Sequence, residues 1–192
     1  MTRSMPTATS HQTIGPFWHG LADLEWCDLT RFGAKGRPIE LRGTITDGDG
    51  ARVTDACVEI WQTSPPAGGT FPGWGRCATD ANGQFAIRTL DPAHHEEREQ
   101  REERKERDRA WGHGNDMEQA PHIAVMLHAR GLLKPLMTRI YFADHPANAR
   151  DPVLQSLEPA RRSTLLAKSD GNGSWHFDIR LQGEHETVFF EI

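Results

Sequence analysis

Ile39-Glu40-Leu41-Arg42-Gly43-Thr44-Ile45-Thr46 alternates apolar with polar side chains and then runs into Asp47-Gly48-Asp49-Gly50. Successive side chains of an extended chain point to opposite faces, so this alternation describes a strand with one buried side. Asp and Gly tolerate positive φ, and Asp bonds its own backbone, which makes the next four residues a tight turn. The pattern recurs along the chain. Val58-Glu59-Ile60-Trp61-Gln62 alternates in the same way, and Phe85-Ala86-Ile87-Arg88-Thr89-Leu90 follows a second turn at Asp80-Ala81-Asn82-Gly83. Ile123 to Leu127 and Thr138-Arg139-Ile140-Tyr141-Phe142 read as two more strands, joined through Ala129-Arg130-Gly131 and Pro135. Trp175-His176-Phe177-Asp178-Ile179-Arg180-Leu181 is a further alternating run, and Thr187-Val188-Phe189-Phe190-Glu191-Ile192 closes the chain as a last strand. Short strands separated by Gly and Pro turns predict an all-β fold, an antiparallel β-sandwich.

A chain of 192 residues is long enough for one sizeable core and short for two. The reading is therefore a single domain over 1–192, with an N-terminal arm over 1–38 and the sandwich over 39–192. An insertion over about 92–118 interrupts it, and His94 to Arg109 holds seven acids and six bases with no apolar residue. Such a segment has no face to bury, so any helix there rests on pairs such as Glu97 with Arg101 and Glu103 with Arg107, each contributing a few tenths of a kcal/mol. It is expected to be a solvated insertion. A formal net charge of -5 gives no field to gather nucleic acid or anionic lipid. Cys27, Cys57 and Cys77 are odd in number and lack a CxxC spacing, which argues against a disulfide framework and a thiolate metal site. No apolar run suits a signal peptide or a membrane helix, so a soluble, cytoplasmic protein is expected, with no membrane and no nucleic-acid partner.

The candidate chemistry centres on Pro121-His122-Ile123-Ala124. Residues 122 and 124 of a strand share a face, so a His-x-His pair there could hold a metal, whereas His122 and Ala124 cannot do so together. Tyr141 is the single tyrosine of the chain. A lone histidine on a half-buried strand is more often a hydrogen-bonded packing or interface residue than a ligand, and His122 is read as such. His128 would share its face, but about 20 Å of extended chain separates the two. His94 and His95 are read as solvent-exposed.

Thr13-Ile14-Gly15-Pro16-Phe17, Val58-Glu59-Ile60-Trp61-Gln62, Gly73-Trp74-Gly75-Arg76 and Thr79-Asp80-Ala81-Asn82-Gly83 resemble, in this order, segments of the intradiol ring-cleaving dioxygenases. Ala120-Pro121-His122-Ile123, Ala129-Arg130-Gly131-Leu132, Thr138 to Phe142 and Phe177 to Gly183 extend the likeness, which narrows to the alpha type of subunit. It covers nearly everything from Gln12 to Ile192 apart from the charged insertion.

That resemblance implies a non-haem Fe(III) site made by two tyrosinates and two histidines in the catalytic chains, where a catecholate binds and dioxygen attacks the ring. Hard phenolate donors suit ferric iron. Only His122 falls on a ligand position here; Ala124 replaces the second histidine and Phe71 is the nearest stand-in for the first tyrosine. The second tyrosine has no counterpart between Leu90 and Pro121. The resemblance therefore implies no catalytic residue and no metal ligand in this chain, the iron being bound by a partner beta subunit in alpha-beta heterodimers of a larger oligomer. Thr13, Gly15, Pro16 and Arg130 would line the partner's pocket for a catechol acid, protocatechuate. Gly15 permits close backbone approach, Pro16 stiffens the arm, Thr13 offers a hydroxyl and Arg130 a fixed positive charge. Arg130 could instead pair within the fold, with Asp144 or Glu118, and Gly15-Pro16 could be an ordinary turn. Arg76, Asp80 and Arg139 are read as structural, and Trp61 and Trp74 as core or interface anchors. Two other classes compete: a self-sufficient enzyme using another metal or none, and a stand-alone β-sandwich binding or scaffold domain.

Overall fold

The computed structural model describes Thr13, Gly15 and Trp18 and residues 24–93 and 119–191. Pro16, the charged run over 94–109 with His94 and His95, and the stretch searched for the second tyrosine lie outside the described residues, except for the few residues at that stretch's two ends. Among the described residues the strands are β1 (Pro38–Thr46), β2 (Cys57–Trp61), β3 (Trp74–Ala78), β4 (Gln84–Leu90), β5 (His122–His128), β6 (Leu136–Phe142), β7 (Leu166–Gly171), β8 (Ser174–His176) and β9 (Ile179–Arg180). They hydrogen-bond in the order β3-β2-β5-β6-β7-β8-β1-β4, with β9 also on β1.

The strand-dominated fold agrees with the alternation, but the sheet is mixed where an antiparallel sandwich was expected. β1 runs parallel to β8 and β9, and β6 parallel to β7. A parallel pair needs a crossover, and the chain supplies one between Phe142 and Leu166 through short helical turns that include Pro152–Ser156. The two ends of the strand order, β3 and β4, are consecutive in the chain. They are joined by the Asp80 turn, in which Asp80 Oδ1 accepts the N–H groups of Asn82 and Gln84, both at 2.8 Å. The sheet thus nearly closes on itself.

Its inside is one apolar core to which Ile39, Leu41 and Ile45 of β1, Val58 and Ile60 of β2, Phe85 and Ile87 of β4, Ile123, Val125 and Leu127 of β5 and Ile140 of β6 contribute. Burying each such side chain contributes roughly 1.5–3 kcal/mol before the entropy of ordering it. Gly43 is required within β1: a Cβ there would lie 1.8 Å from the Phe177 carbonyl oxygen. This close approach breaks the expected continuous strand over Trp175 to Leu181 into β8 and β9. Between them the Asp178 side chain accepts the Thr44 N–H at 2.9 Å, replacing a ladder bond. The expected final strand is also reduced. Among the described residues it shows an isolated bridge of Phe190 to Met137, while Thr138 Oγ1 donates to the Val188 carbonyl at 2.7 Å.

Candidate functional site

Strand β5 divides its side chains cleanly. Ile123, Val125 and Leu127 enter the core, and His122, Ala124, Met126 and His128 form a half-buried outer face. Register places Tyr141 of β6 opposite His122, and Arg139 of β6 and Trp61 of β2 opposite Ala124. His122 Nδ1 lies 2.8 Å from the Ala120 carbonyl oxygen, and its ring is 5.3 Å from the Tyr141 ring. Burial pushes the His122 imidazole below its ordinary range, and the nearby Arg139 charge adds to this, against the pull of the Ala120 carbonyl and Asp151.

Tyr141 is fully buried, and its hydroxyl is already engaged. It donates to Asp151 Oδ1 at 3.3 Å and receives Arg139 Nη1 at 3.2 Å. Burial pushes the phenol up to about 12 despite Arg139. Asp151 in turn caps the helix Pro152–Ser156 through the N–H groups of Val153 and Leu154 and accepts the Ala120 N–H. These groups do not make the two-tyrosinate, two-histidine set that a ferric site of the expected kind needs: Ala124 follows His122 on the same face, and the Tyr141 hydroxyl is held between Asp151 and Arg139. Phe71, the expected stand-in for the first tyrosine, is buried in the core. Among the described residues no group of three His, Cys, Asp or Glu side chains could hold a metal ion.

The neighbouring part of the outer face is aromatic and charged. Trp74 of β3 lies with its ring 6.4 Å from Trp61 and 5.2 Å from Trp26, and the Arg76 guanidinium is 5.1 Å from the Trp74 ring. Arg76 Nε donates to Glu59 Oε1 at 2.7 Å, and His128 Nε2 is 3.7 Å from Glu59 Oε2. Burial acts to raise the Glu59 carboxyl, but His128 and Arg76 together outweigh it and hold the group below the usual range. Trp61 and Trp74 are half-buried outer-face residues.

Arg130 sits at the tip of the β5–β6 connection, and local sequence explains its placement. Ala129 is buried, Leu132 N–H donates to the Ala129 carbonyl at 3.2 Å, and Gly131 has a φ of 84°. That is a turn with glycine at its left-handed position and Arg130 preceding it. The Arg130 side chain is 72% exposed and its Nε lies 2.8 Å from Asp55 Oδ2. Asp144 does not take this role, and Glu118 lies outside the described residues; the partner seen is a residue 75 positions earlier, which no local signal indicates.

On the arm, Gly15 has a φ of 76°, and its N–H donates to Thr13 Oγ1 at 3.3 Å. Trp18, three residues on, is buried, and its indole Nε1–H donates to the Asp55 carbonyl at 3.1 Å. Three residues of chain span at most about 11 Å and five about 18 Å, so Gly15, and more loosely Thr13, are tethered to a residue that Arg130 also touches. The shared point is Asp55. It joins three segments that sequence reading had treated separately. Asp151 was missed as well, although an Asp-Pro pair opening a helical turn is a readable cap signal.

Comparison with known proteins follows the same line. The family model described as Dioxygenase matches residues 15–183. The protocatechuate 3,4-dioxygenase alpha chain of Pseudomonas putida is 37% identical over 96% of this chain and 96% of its own length. The protocatechuate 3,4-dioxygenase beta chain of Burkholderia cepacia is 26% identical over 92% of this chain and 76% of its own. Among solved structures, an intradiol ring-cleavage dioxygenase from Tetranychus urticae superposes with a TM-score of 0.57 at 14% identity, covering 95% of this chain and 98% of that one. This last likeness concerns the fold.

Proposed function

This chain belongs to the intradiol dioxygenase family, and on that ground we propose that it is the alpha-type, non-iron-binding subunit of a protocatechuate 3,4-dioxygenase. Its partner is a beta chain that holds the non-haem ferric ion, and the pair converts protocatechuate and dioxygen to 3-carboxy-cis,cis-muconate. The observation that carries this reading is the outer face of β5. His122 stands there with Ala124 at the next same-face position, and Tyr141 is bound into a packing network. A chain similar over nearly its whole length to an alpha chain, yet without a fitting donor set on that strand, supports a complementary role.

In this reading the chain supplies part of the substrate wall. Thr13, Gly15 and Pro16 are the arm residues assigned to that wall, with backbone open to close approach at Gly15. Arg130 presents a permanent cation toward a carboxylate-bearing catechol; an exposed guanidinium orients and attracts such an anion more than it alters bond-making. An Arg130→Ala subunit, assembled with the beta chain, should raise KM for protocatechuate about fivefold or more while kcat stays within about twofold. Its KM should also lose part of its dependence on ionic strength. Unchanged KM and unchanged salt dependence would overturn the role of this chain in the pocket.

A further inference from the structure

We propose that Asp55 is a positioning residue for that wall, an inference that rests on the pocket role just given for Arg130 and the arm. Three observations meet at this one residue. Its carboxylate oxygen Oδ2 lies 2.8 Å from Arg130 Nε. Its backbone carbonyl accepts the indole N–H of Trp18 at 3.1 Å. Oδ2 is buried and makes no aligned hydrogen bond among the described residues, so the Arg130 guanidinium is the cation that meets its charge.

The chemistry of the pair suits positioning. Arg130 carries its charge at every working pH, and a contact through Nε leaves both terminal nitrogens of the planar group available to an anion. Its side chain is otherwise held loosely, since most of it is exposed and rotamer freedom is large for arginine. A carboxylate on the turn that leads into β2 removes much of that freedom before substrate arrives. The backbone of the same residue receives the Trp18 indole, so Asp55 is a point of the fold shared by Arg130 and the arm bearing Thr13 and Gly15. Asp55 itself contacts no substrate in this account; it acts through Arg130 and Trp18.

The test uses the assembled enzyme with its beta chain and protocatechuate as substrate. Asp55→Asn removes the charge while keeping the size and the backbone carbonyl that receives Trp18. It should raise KM about threefold or more, with kcat within about twofold, because Arg130 is present but no longer held. The double variant Asp55→Asn/Arg130→Ala should show the KM of Arg130→Ala alone, since Asp55 has nothing to position once the guanidinium is gone. Asp55→Glu, which restores the charge, should recover part of the loss. Purely structural damage would instead lower kcat and assembly together and would add to the Arg130→Ala effect. Unchanged KM in Asp55→Asn, against a raised KM in Arg130→Ala, would overturn the positioning role and leave the pocket reading standing. Unchanged KM in Arg130→Ala would overturn the pocket reading and this inference with it.

Discussion

Gly43 and His122 show how single side chains are held to their identities by opposite demands. At Gly43 the constraint is space: a methyl group would overlap the Phe177 carbonyl and crowd the Phe85 ring. A rigid backbone neighbour cannot rotate away, so Gly43→Ala should destabilise the fold by about 3 kcal/mol or more, read as a lower denaturation midpoint. At His122 the constraint is charge. The unfolded chain takes up a proton near the ordinary 6.5, whereas burial keeps the folded imidazole neutral to lower pH. The stability associated with neutral His122 is therefore complete above that ordinary value and lost as pH falls through the folded value. Between about pH 7 and pH 5, the wild-type midpoint should drop more steeply than that of His122→Gln; parallel curves would contradict a buried, neutral imidazole.

Strands differed in how much of them the sequence disclosed, and the reasons are physical. β1, β2, β4, β5 and β6 each bury one side against the shared core, so their alternation is plain. β7 carries Lys168, Ser169 and Asp170 on largely exposed positions, and β3 opens with Trp74-Gly75-Arg76, so neither announces a buried face. The parallel pairings were hidden because strand direction depends on where a crossover returns the chain, which alternation does not encode. The break between β8 and β9 was hidden because it follows from Gly43 on another strand. That break makes a prediction of its own. In Asp178→Ala the Thr44 amide should exchange with solvent faster by roughly tenfold, as expected for a lost bond of about 1 kcal/mol or more, while amides bonded between β1 and β4 keep their protection. Equal protection of Thr44 in both proteins would show that Asp178 does not replace the ladder there.

For the molecule as a whole, the candidate site was legible in kind but not in connection. The His-x-Ala pattern at His122 and Ala124 and the scarcity of tyrosine could be read directly, because metal sites need several donors at fixed spacing. Arg130 could be singled out only through family likeness, and its tie to Asp55 and Trp18 could not be read at all, since it joins segments far apart in the chain. Among the described residues the strands form a nearly closed, mixed sheet in which β5 sets His122 beside Ala124, and the groups proposed for the substrate wall lie on the arm and in the β5–β6 connection. The central claim is that this chain completes a neighbour's iron site and carries none of its own. The most direct test is the iron content of the chain purified alone from iron-replete cells, set beside that of the chain assembled with its beta partner, with ring cleavage measured on the same samples. The account predicts no stoichiometric iron and no cleavage for the chain alone, and one iron per heterodimer with full cleavage for the assembly. Stoichiometric iron with protocatechuate cleavage in the isolated chain would contradict it.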